Sequence, residues 1–245
     1  MHIYSALQKG EYHLHHCEDY LFIGSPCKNK TICAVMDGCT SGIDSHFIST
    51  LIGKLLRKIC NNRNYVEFYQ RDNPETSLEQ YLKVLVKDLF IELKQAANML
   101  MLEKRELLST LIILLINETQ NSAAVFVLGD GVVCINGQLT DFDQDNKPDY
   151  IGYHLAEDFD QWYVTHPRRI GIHSFKDISI ATDGITTFTQ LAQSAGDEAI
   201  NPVEYLLQEN ISGLPEDELY KRLKTIEHVY GLKHTDDLAI VRIVN

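Results

Sequence analysis

The chain has little that would tie it to an oxidising compartment or to a membrane. Its six cysteines form no Cys-x-x-Cys pair, and the start of the chain, which carries Glu11 and several histidines, lacks the apolar core of a secretory signal. No apolar run reaches the roughly 20 residues that are needed to cross a bilayer. We therefore expect reduced thiols, a cytoplasmic location and no membrane partner.

Basic residues are also scarce. The 22 Lys and Arg residues face 34 Asp and Glu residues, which gives a formal net charge of −12. This balance argues against nucleic acid as a partner, because phosphate backbones bind basic surfaces. It does not exclude phosphorylated substrates, because bound divalent cations reverse the local field. The chain also lacks a P-loop and the Gly-x-Ser-x-Gly turn of serine hydrolases.

Strands and helices are grouped along the chain rather than alternating. Apolar runs rich in β-branched residues predict strands, and a period of 3.6 residues predicts helices. The predicted strands are 20–24, 31–36, 107–116, 123–128, 132–135, 178–181 and 238–244. The predicted helices are 47–59, ending at Asn61-Asn62 before a loop over 63–74, and then 76–103, 185–194, 202–209 and 216–230. Residues 138–176 show no apolar period and are predicted to form an irregular insertion. This order favours a single α+β domain over 1–245 with antiparallel sheets.

Four acidic motifs lie at the edges of apolar runs: Glu18-Asp19, Asp37-Gly38, Asp183-Gly184 and Asp236-Asp237. One Asp-Gly alone usually marks a turn. Carboxylates at the ends of buried strands are costly unless a cation meets them, and four such motifs therefore suggest a shared metal centre. Oxygen ligands suit Mg²⁺ or Mn²⁺, and two such ions can activate a water molecule for hydrolysis.

The order of these motifs resembles the type 2C, metal-dependent Ser/Thr protein phosphatases. That family has a Glu-Asp strand, a strand that ends in Asp-Gly, a Ser/Thr-led strand, a hairpin with Gly-Asp, a Thr-Asp-Gly motif and a final Asp-Asn or Asp-Asp. The corresponding segments of this chain are Glu18-Asp19, 37–42, Ser109-Thr110, 129–131, 182–184 and Asp236-Asp237, spread over residues 11–243.

The resemblance implies a four-layer α-β-β-α sandwich, in which helices flank two packed antiparallel sheets. It also implies two Mn²⁺ or Mg²⁺ ions, with a third that binds more weakly. Asp37 would bridge the two ions, Asp183 and Asp236 would complete one site, and Glu18 and the Gly38 carbonyl would serve the other. Asp19 would orient a water molecule, and Asp130 would help hold the third ion. Residues 138–176 would form a flap beside the site.

The chain departs from the family pattern at positions that affect substrate binding. The family usually has a phosphate-binding arginine four residues before the metal-binding glutamate, and here that position is Leu14, which cannot donate a hydrogen bond. His16 shares the strand parity of Glu18 and is a candidate replacement in the catalytic site, as are Arg168 and Arg169 in the flap. Cys39 stands where many members have histidine. Gly131, Val132 and Ala239 also differ from the residues that the family usually has at those positions.

Three functions follow from this pattern. The first is hydrolysis of phosphoserine or phosphothreonine on proteins by a metal-activated water molecule, with Asp37, Asp19 and His16 as catalytic residues. The second is a regulatory binding module that has kept the fold after losing catalysis with the missing arginine. The third is a hydrolase for small phosphoesters. A phosphorylated protein is the expected partner in the first case, and the sequence predicts no oligomeric state.

Overall fold

The computed structural model describes residues 1–69, 77–144, 148–191 and 200–245. The strands in chain order are β1 (His2–Gln8), β2 (Tyr20–Cys27), β3 (Lys30–Met36), β4 (Leu111–Asn117), β5 (Ser122–Leu128), β6 (Val132–Ile135), β7 (Gln138–Asp141), β8 (Arg169–Ile172), β9 (Asp177–Ala181), β10 (Phe188–Gln190), β11 (Leu232–His234) and β12 (Leu238–Val244). The helices are α1 (Ser45–Tyr69), α2 (Leu78–Leu100), α3 (Ile151–His154), α4 (Phe159–Thr165), α5 (Pro202–Leu207) and α6 (Glu218–His228). No helix among these residues is long and apolar enough to cross a membrane.

Two antiparallel five-stranded sheets pack face to face. One sheet has the order β1-β12-β9-β6-β7, and the other has the order β2-β3-β4-β5-β8. Their facing side chains form a common apolar layer, which includes Val35 and Ile112 from one sheet and Ile180 and Val241 from the other. This arrangement confirms the α+β class and the pair of packed sheets.

Helices cover the two outer faces of the sandwich. The outer face of the β2-β3-β4-β5-β8 sheet is buried against α1 and α2, through residues such as Ile52 and Leu89. The outer face of the other sheet is buried against α5 and α6, through residues such as Leu206 and Leu223. The predicted four layers are therefore present, and each layer buries the apolar face that its sequence period provides.

The first long helix continues past the point where the sequence predicts its end. Instead of ending at Asn61-Asn62, α1 continues to Tyr69. The first part of the predicted 63–74 loop is therefore helical. Contacts with other elements hold this last part of the helix. Arg63 Nη2 lies 2.5 Å from Asp88 Oδ2 on α2, and Asn64 donates to the Ser25 carbonyl near the end of β2. Residues 70–74 lie outside the described part of the chain.

Segment 138–176 contains more regular structure than the sequence predicts. Its first residues form β7, which pairs with β6, and its last part includes β8, which pairs with β5. Helices α3 and α4 lie between them. Each element has seven residues or fewer, which is too short to show a period in the sequence.

Two other predicted boundaries change. The helix predicted over 185–194 is replaced by a 3₁₀ turn over Asp183–Thr186 and by β10, which pairs with β11, while residues 192–194 lie outside the described part. The strand predicted to begin at Leu107 begins at Leu111, after a 3₁₀ turn over Lys104–Glu106.

Candidate metal centre

The four acidic motifs meet at one end of the two sheets. Asp37 directly follows β3, Asp183 comes two residues after the end of β9, and Asp236 lies just before β12. Burial raises the pKa of Asp37, and the negative charges of Asp19, Asp183 and Asp236 raise that pKa further. Strands that are distant in the sequence therefore bring their carboxylates together, which is the arrangement that a shared cation site requires.

Asp19 and Asp37 form the buried centre of this group. Burial raises the pKa of both carboxyls well above the usual range, and the negative charge of Asp19 raises the pKa of Asp37 further. The Thr182 hydroxyl donates to Asp19 Oδ2 at 2.6 Å and partly offsets the effect of burial on the Asp19 pKa. Burial disfavours the charged form of a carboxyl, and a nearby cation would offset this effect.

Asp183 belongs to the same electrostatic group. Burial, followed by the negative charges of Asp130 and Asp236, raises the pKa of the Asp183 carboxyl to about 7. The backbone N–H of Gly184 acts in the opposite direction. A carboxyl with these neighbours favours either a proton or a metal ion beside it.

Glu18 is held at the edge of the group by hydroxyl donors. Ser45, at the start of α1, donates to Glu18 Oε1 at 2.6 Å, and Thr40 donates to Oε2 at 2.7 Å. Gly38 packs against the same helix start, where a Cβ atom would collide with the Ser45 carbonyl oxygen. The glycine that follows Asp37 is thus required by close packing, and it keeps the Asp-Gly turn beside Glu18.

Asp130 lies in a tight turn between β5 and β6. The glycines on either side have φ values of +89° and +131°, which few other residues adopt. Burial raises the pKa of the Asp130 carboxyl, while Arg168, which donates to the Gly129 carbonyl at 2.6 Å, acts to lower it. The Oδ1 atom of Asp130 is buried and has no hydrogen-bond partner among the described residues. Such an atom needs a ligand or a water molecule beside it.

The candidate replacements for the missing arginine have different surroundings. The Leu14 side chain is 80% exposed, and His16 stacks on His46 with ring centroids 4.1 Å apart near the start of α1. Arg168 lies beside the turn that carries Asp130. Arg169 instead stacks on Tyr163, with its guanidinium 5.0 Å from the ring centroid, so Arg168 and Arg169 are directed to different places.

Sequence reasoning missed the roles of His13 and Asp237. Asp237 is fully buried and accepts hydrogen bonds from the backbone N–H groups of Gly10, at 2.6 Å, and Glu18, at 2.5 Å. His13 Nδ1 lies 2.8 Å from Asp237 Oδ2, and His13 Nε2 lies 3.2 Å from Asp236 Oδ1. The sequence signal for this contact is Asp237 itself, because a carboxylate next to a buried strand needs hydrogen-bond donors.

Comparison with known proteins agrees with this arrangement. A family model described as protein phosphatase 2C matches residues 9–225. The chain belongs to the protein phosphatase 2C family. This confirms the resemblance drawn from the acidic motifs, although a comparison with curated proteins found no match.

Several solved phosphatase structures share the protein phosphatase 2C fold with this chain. A bacterial serine phosphatase aligns with a TM-score of 0.64 at 11% identity, over 99% of this chain and 96% of the other. Serine/threonine phosphatase Stp1 from Staphylococcus aureus aligns with a TM-score of 0.62 at 14% identity, over 100% and 95%. RsbX in complex with magnesium aligns with a TM-score of 0.53 at 18% identity, over 98% and 94%. At these identities the similarity establishes the fold.

The donor chemistry fits the divalent cations that the protein phosphatase 2C family implies. The buried carboxyls Asp19, Asp37 and Asp183 have raised pKa values, and the Asp130 Oδ1 atom has no partner in the described part of the chain. Oxygen donors of this kind suit Mg²⁺ and Mn²⁺. Among residues 1–69, 77–144, 148–191 and 200–245, no group of three or more His, Cys, Asp or Glu side chains that could hold a metal ion is found.

Proposed function

We propose that this chain is a divalent-metal-dependent phosphatase that hydrolyses phosphoserine and phosphothreonine monoesters on proteins. The observation that supports this function most strongly is the convergence of Asp19, Asp37, Asp183 and Asp236 at one end of the sandwich, in a chain of the protein phosphatase 2C family. The four aspartates are far apart in the sequence, so turn formation at each position would not explain why they meet.

In this proposal the carboxylates form the cation site. Asp37 would bridge two ions, Asp183 and Asp236 would hold one of them, and Glu18 with the Gly38 carbonyl would hold the other. Asp130 would contribute to a third site. When bound, Mn²⁺ or Mg²⁺ supplies charge neutralisation for the phosphoryl oxygens and activates a water molecule as the nucleophile.

The remaining residues would position the reactants. Asp19, fixed by the Thr182 hydroxyl at 2.6 Å, would accept a hydrogen bond from the attacking water molecule and orient it. His16 at the rim, or Arg168 beside Asp130, would donate hydrogen bonds to the substrate phosphate in place of the arginine that Leu14 replaces. Thr40 and Ser45 would keep the Glu18 carboxylate in its orientation.

The test is phosphate release from a phosphothreonine peptide with and without Mn²⁺. We expect turnover that depends on Mn²⁺ and falls by about 100-fold or more in Asp37→Asn and in Asp183→Asn, because each variant removes a charged ligand. Asp217→Asn is the matched control, since Asp217 lies at the start of α6 in an exposed ion pair with Lys221. Circular dichroism should show that the wild type and the three variants are folded.

The alternatives predict other outcomes. Mn²⁺ binding without turnover of any phosphoester would favour the regulatory binding module. Turnover of p-nitrophenyl phosphate but not of phosphopeptides would favour a hydrolase for small phosphoesters. Equal turnover by the wild type and both aspartate variants would contradict the assignment of Asp37 and Asp183.

A further inference from the structure

His13 is directed into the acidic group although its neighbours face solvent. Its side chain is 12% exposed, whereas Tyr12 is 71% exposed and Leu14 is 80% exposed. The backbone of this loop is fixed by hydrogen bonds from Glu11 N to the His234 carbonyl and from Tyr12 N to the Thr235 carbonyl. The loop therefore holds the imidazole beside Asp236 and Asp237.

Asp237 determines how the imidazole ring is oriented. It already accepts two backbone N–H donors, and its Oδ2 atom lies 2.8 Å from His13 Nδ1. Because a carboxylate accepts hydrogen bonds, Nδ1 carries the proton in this contact. A histidine that donates one ring N–H to a carboxylate presents its other nitrogen to a metal in many metal sites.

The other ring nitrogen lies next to a proposed cation ligand. His13 Nε2 is 3.2 Å from Asp236 Oδ1. Two ligand atoms that are each about 2.1 Å from an ion, on adjacent octahedral positions, are about 3.0 Å from each other. The observed separation is thus close to that of two ligands of the same ion.

We infer that His13 Nε2 is a ligand of the cation held by Asp236, so that this site contains one nitrogen donor among its oxygens. The inference rests on the proposed function, and it concerns a residue outside the acidic motifs. Imidazole favours transition metals over Mg²⁺, which prefers oxygen donors. The chain should therefore prefer Mn²⁺ to Mg²⁺ more strongly than a site made of oxygens alone.

The test is electron spin echo spectroscopy on the full chain loaded with Mn²⁺, which detects a directly coordinated imidazole nitrogen. We expect a ¹⁴N signal in the wild type and in His15→Gln, and its loss in His13→Gln. His15 is the matched control because it is an exposed histidine two residues away. Calorimetric titration should show Mn²⁺ binding weakened about tenfold or more in His13→Gln, with a smaller change for Mg²⁺.

The outcomes separate this inference from the proposed function. Bound Mn²⁺ without a nitrogen signal in the wild type, or a signal that survives in His13→Gln, would overturn the role of His13 and leave the phosphatase proposal intact. That result would favour His13 as a hydrogen-bond donor to phosphate. Failure of the wild type to bind Mn²⁺ at all would overturn both proposals.

Discussion

Asp237 connects three residues of the loop before β2 to the start of β12 through a single side chain. Its carboxylate accepts from Gly10 N and Glu18 N and contacts His13 Nδ1, and it is 0% exposed as a side chain. The loop before β2 is thereby attached to the residue that precedes β12. The position of Glu18 in the site depends on this attachment.

Asp237→Ala should lower the free energy of unfolding by about 2–4 kcal/mol, because it leaves two backbone N–H groups and the imidazole without their acceptor. Urea denaturation measures the change. Asp217→Ala, which removes an exposed carboxylate at the start of α6, should alter stability by less than about 0.5 kcal/mol. Equal effects of the two substitutions would show that the Asp237 contacts add no stability.

The residues at strand ends could be predicted, whereas their buried partners could not. Glu18, Asp37, Asp183 and Asp236 each lie beside an apolar run, and this juxtaposition is visible in the sequence. The contact between His13 and Asp237 joins residues 224 positions apart. Because no local pattern encodes such a pairing, the sequence does not predict it.

At the level of elements, α4 attaches segment 138–176 to the helical layer. Trp162 on α4 packs on Phe90 of α2, with ring centroids 4.8 Å apart, and also contacts Phe126 and His166. Asp160 forms ion pairs with two lysines of α2, which are Lys83 and Lys87. The apolar contacts dominate this attachment, since the charged groups are substantially exposed and such pairs contribute little.

Trp162→Ala should destabilise the protein by about 3–5 kcal/mol, because it leaves a cavity among aromatic side chains. Val164→Ala on the same helix is the control, since Val164 is 67% exposed and should matter little. Thermal and urea denaturation of both variants check this expectation. A change below about 1 kcal/mol for Trp162→Ala would mean that α4 is not held by this packing.

The elements that sequence reasoning placed wrongly depend on tertiary contacts. α1 extends beyond Asn61-Asn62, where Arg63 pairs with Asp88 on the neighbouring helix and Asn64 donates to the Ser25 carbonyl. β7 and β8 form because edges of the two sheets are available to them, and each is four residues long. Propensity over such short segments is weak, so these contacts decide the structure.

At the scale of the whole molecule, the fold class was predictable because strands and helices occur in groups and because the order of acidic motifs matches a known family. The long amphipathic helices and the apolar strands are visible in the sequence and predict the helical and sheet layers. The pairing order of the strands joins distant segments, as when β12 lies between β1 and β9, and it could only be inferred from the resemblance.

Cation binding should stabilise the protein more at about pH 8 than at about pH 5.5. Burial raises the pKa of the Asp19, Asp37 and Asp183 carboxyls, that of Asp183 to about 7. The stability that comes from their bound protons is complete at pH values below the ordinary pKa of a carboxyl. It is lost as the pH rises through the raised pKa values of the folded protein. In the proposed function Mg²⁺ would replace those protons, so its stabilising effect should increase with pH.

The measurement is the increase in Tm caused by Mg²⁺ at the two pH values. The wild type should show the larger increase at the higher pH, and Asp183→Asn should show a smaller difference between the two pH values. An increase that is the same at both pH values would contradict the coupling between these carboxyls and the cation.

The carboxylates at the end of the sandwich are proposed to act through divalent cations in the hydrolysis of phosphoproteins. This central claim is tested most directly by the rate of phosphate release from a phosphothreonine peptide as Mn²⁺ is titrated into the wild-type protein. We predict no turnover without Mn²⁺ and a saturable rise as the ion binds. Turnover that is independent of divalent ions, or no turnover by protein that has bound Mn²⁺, would contradict the claim.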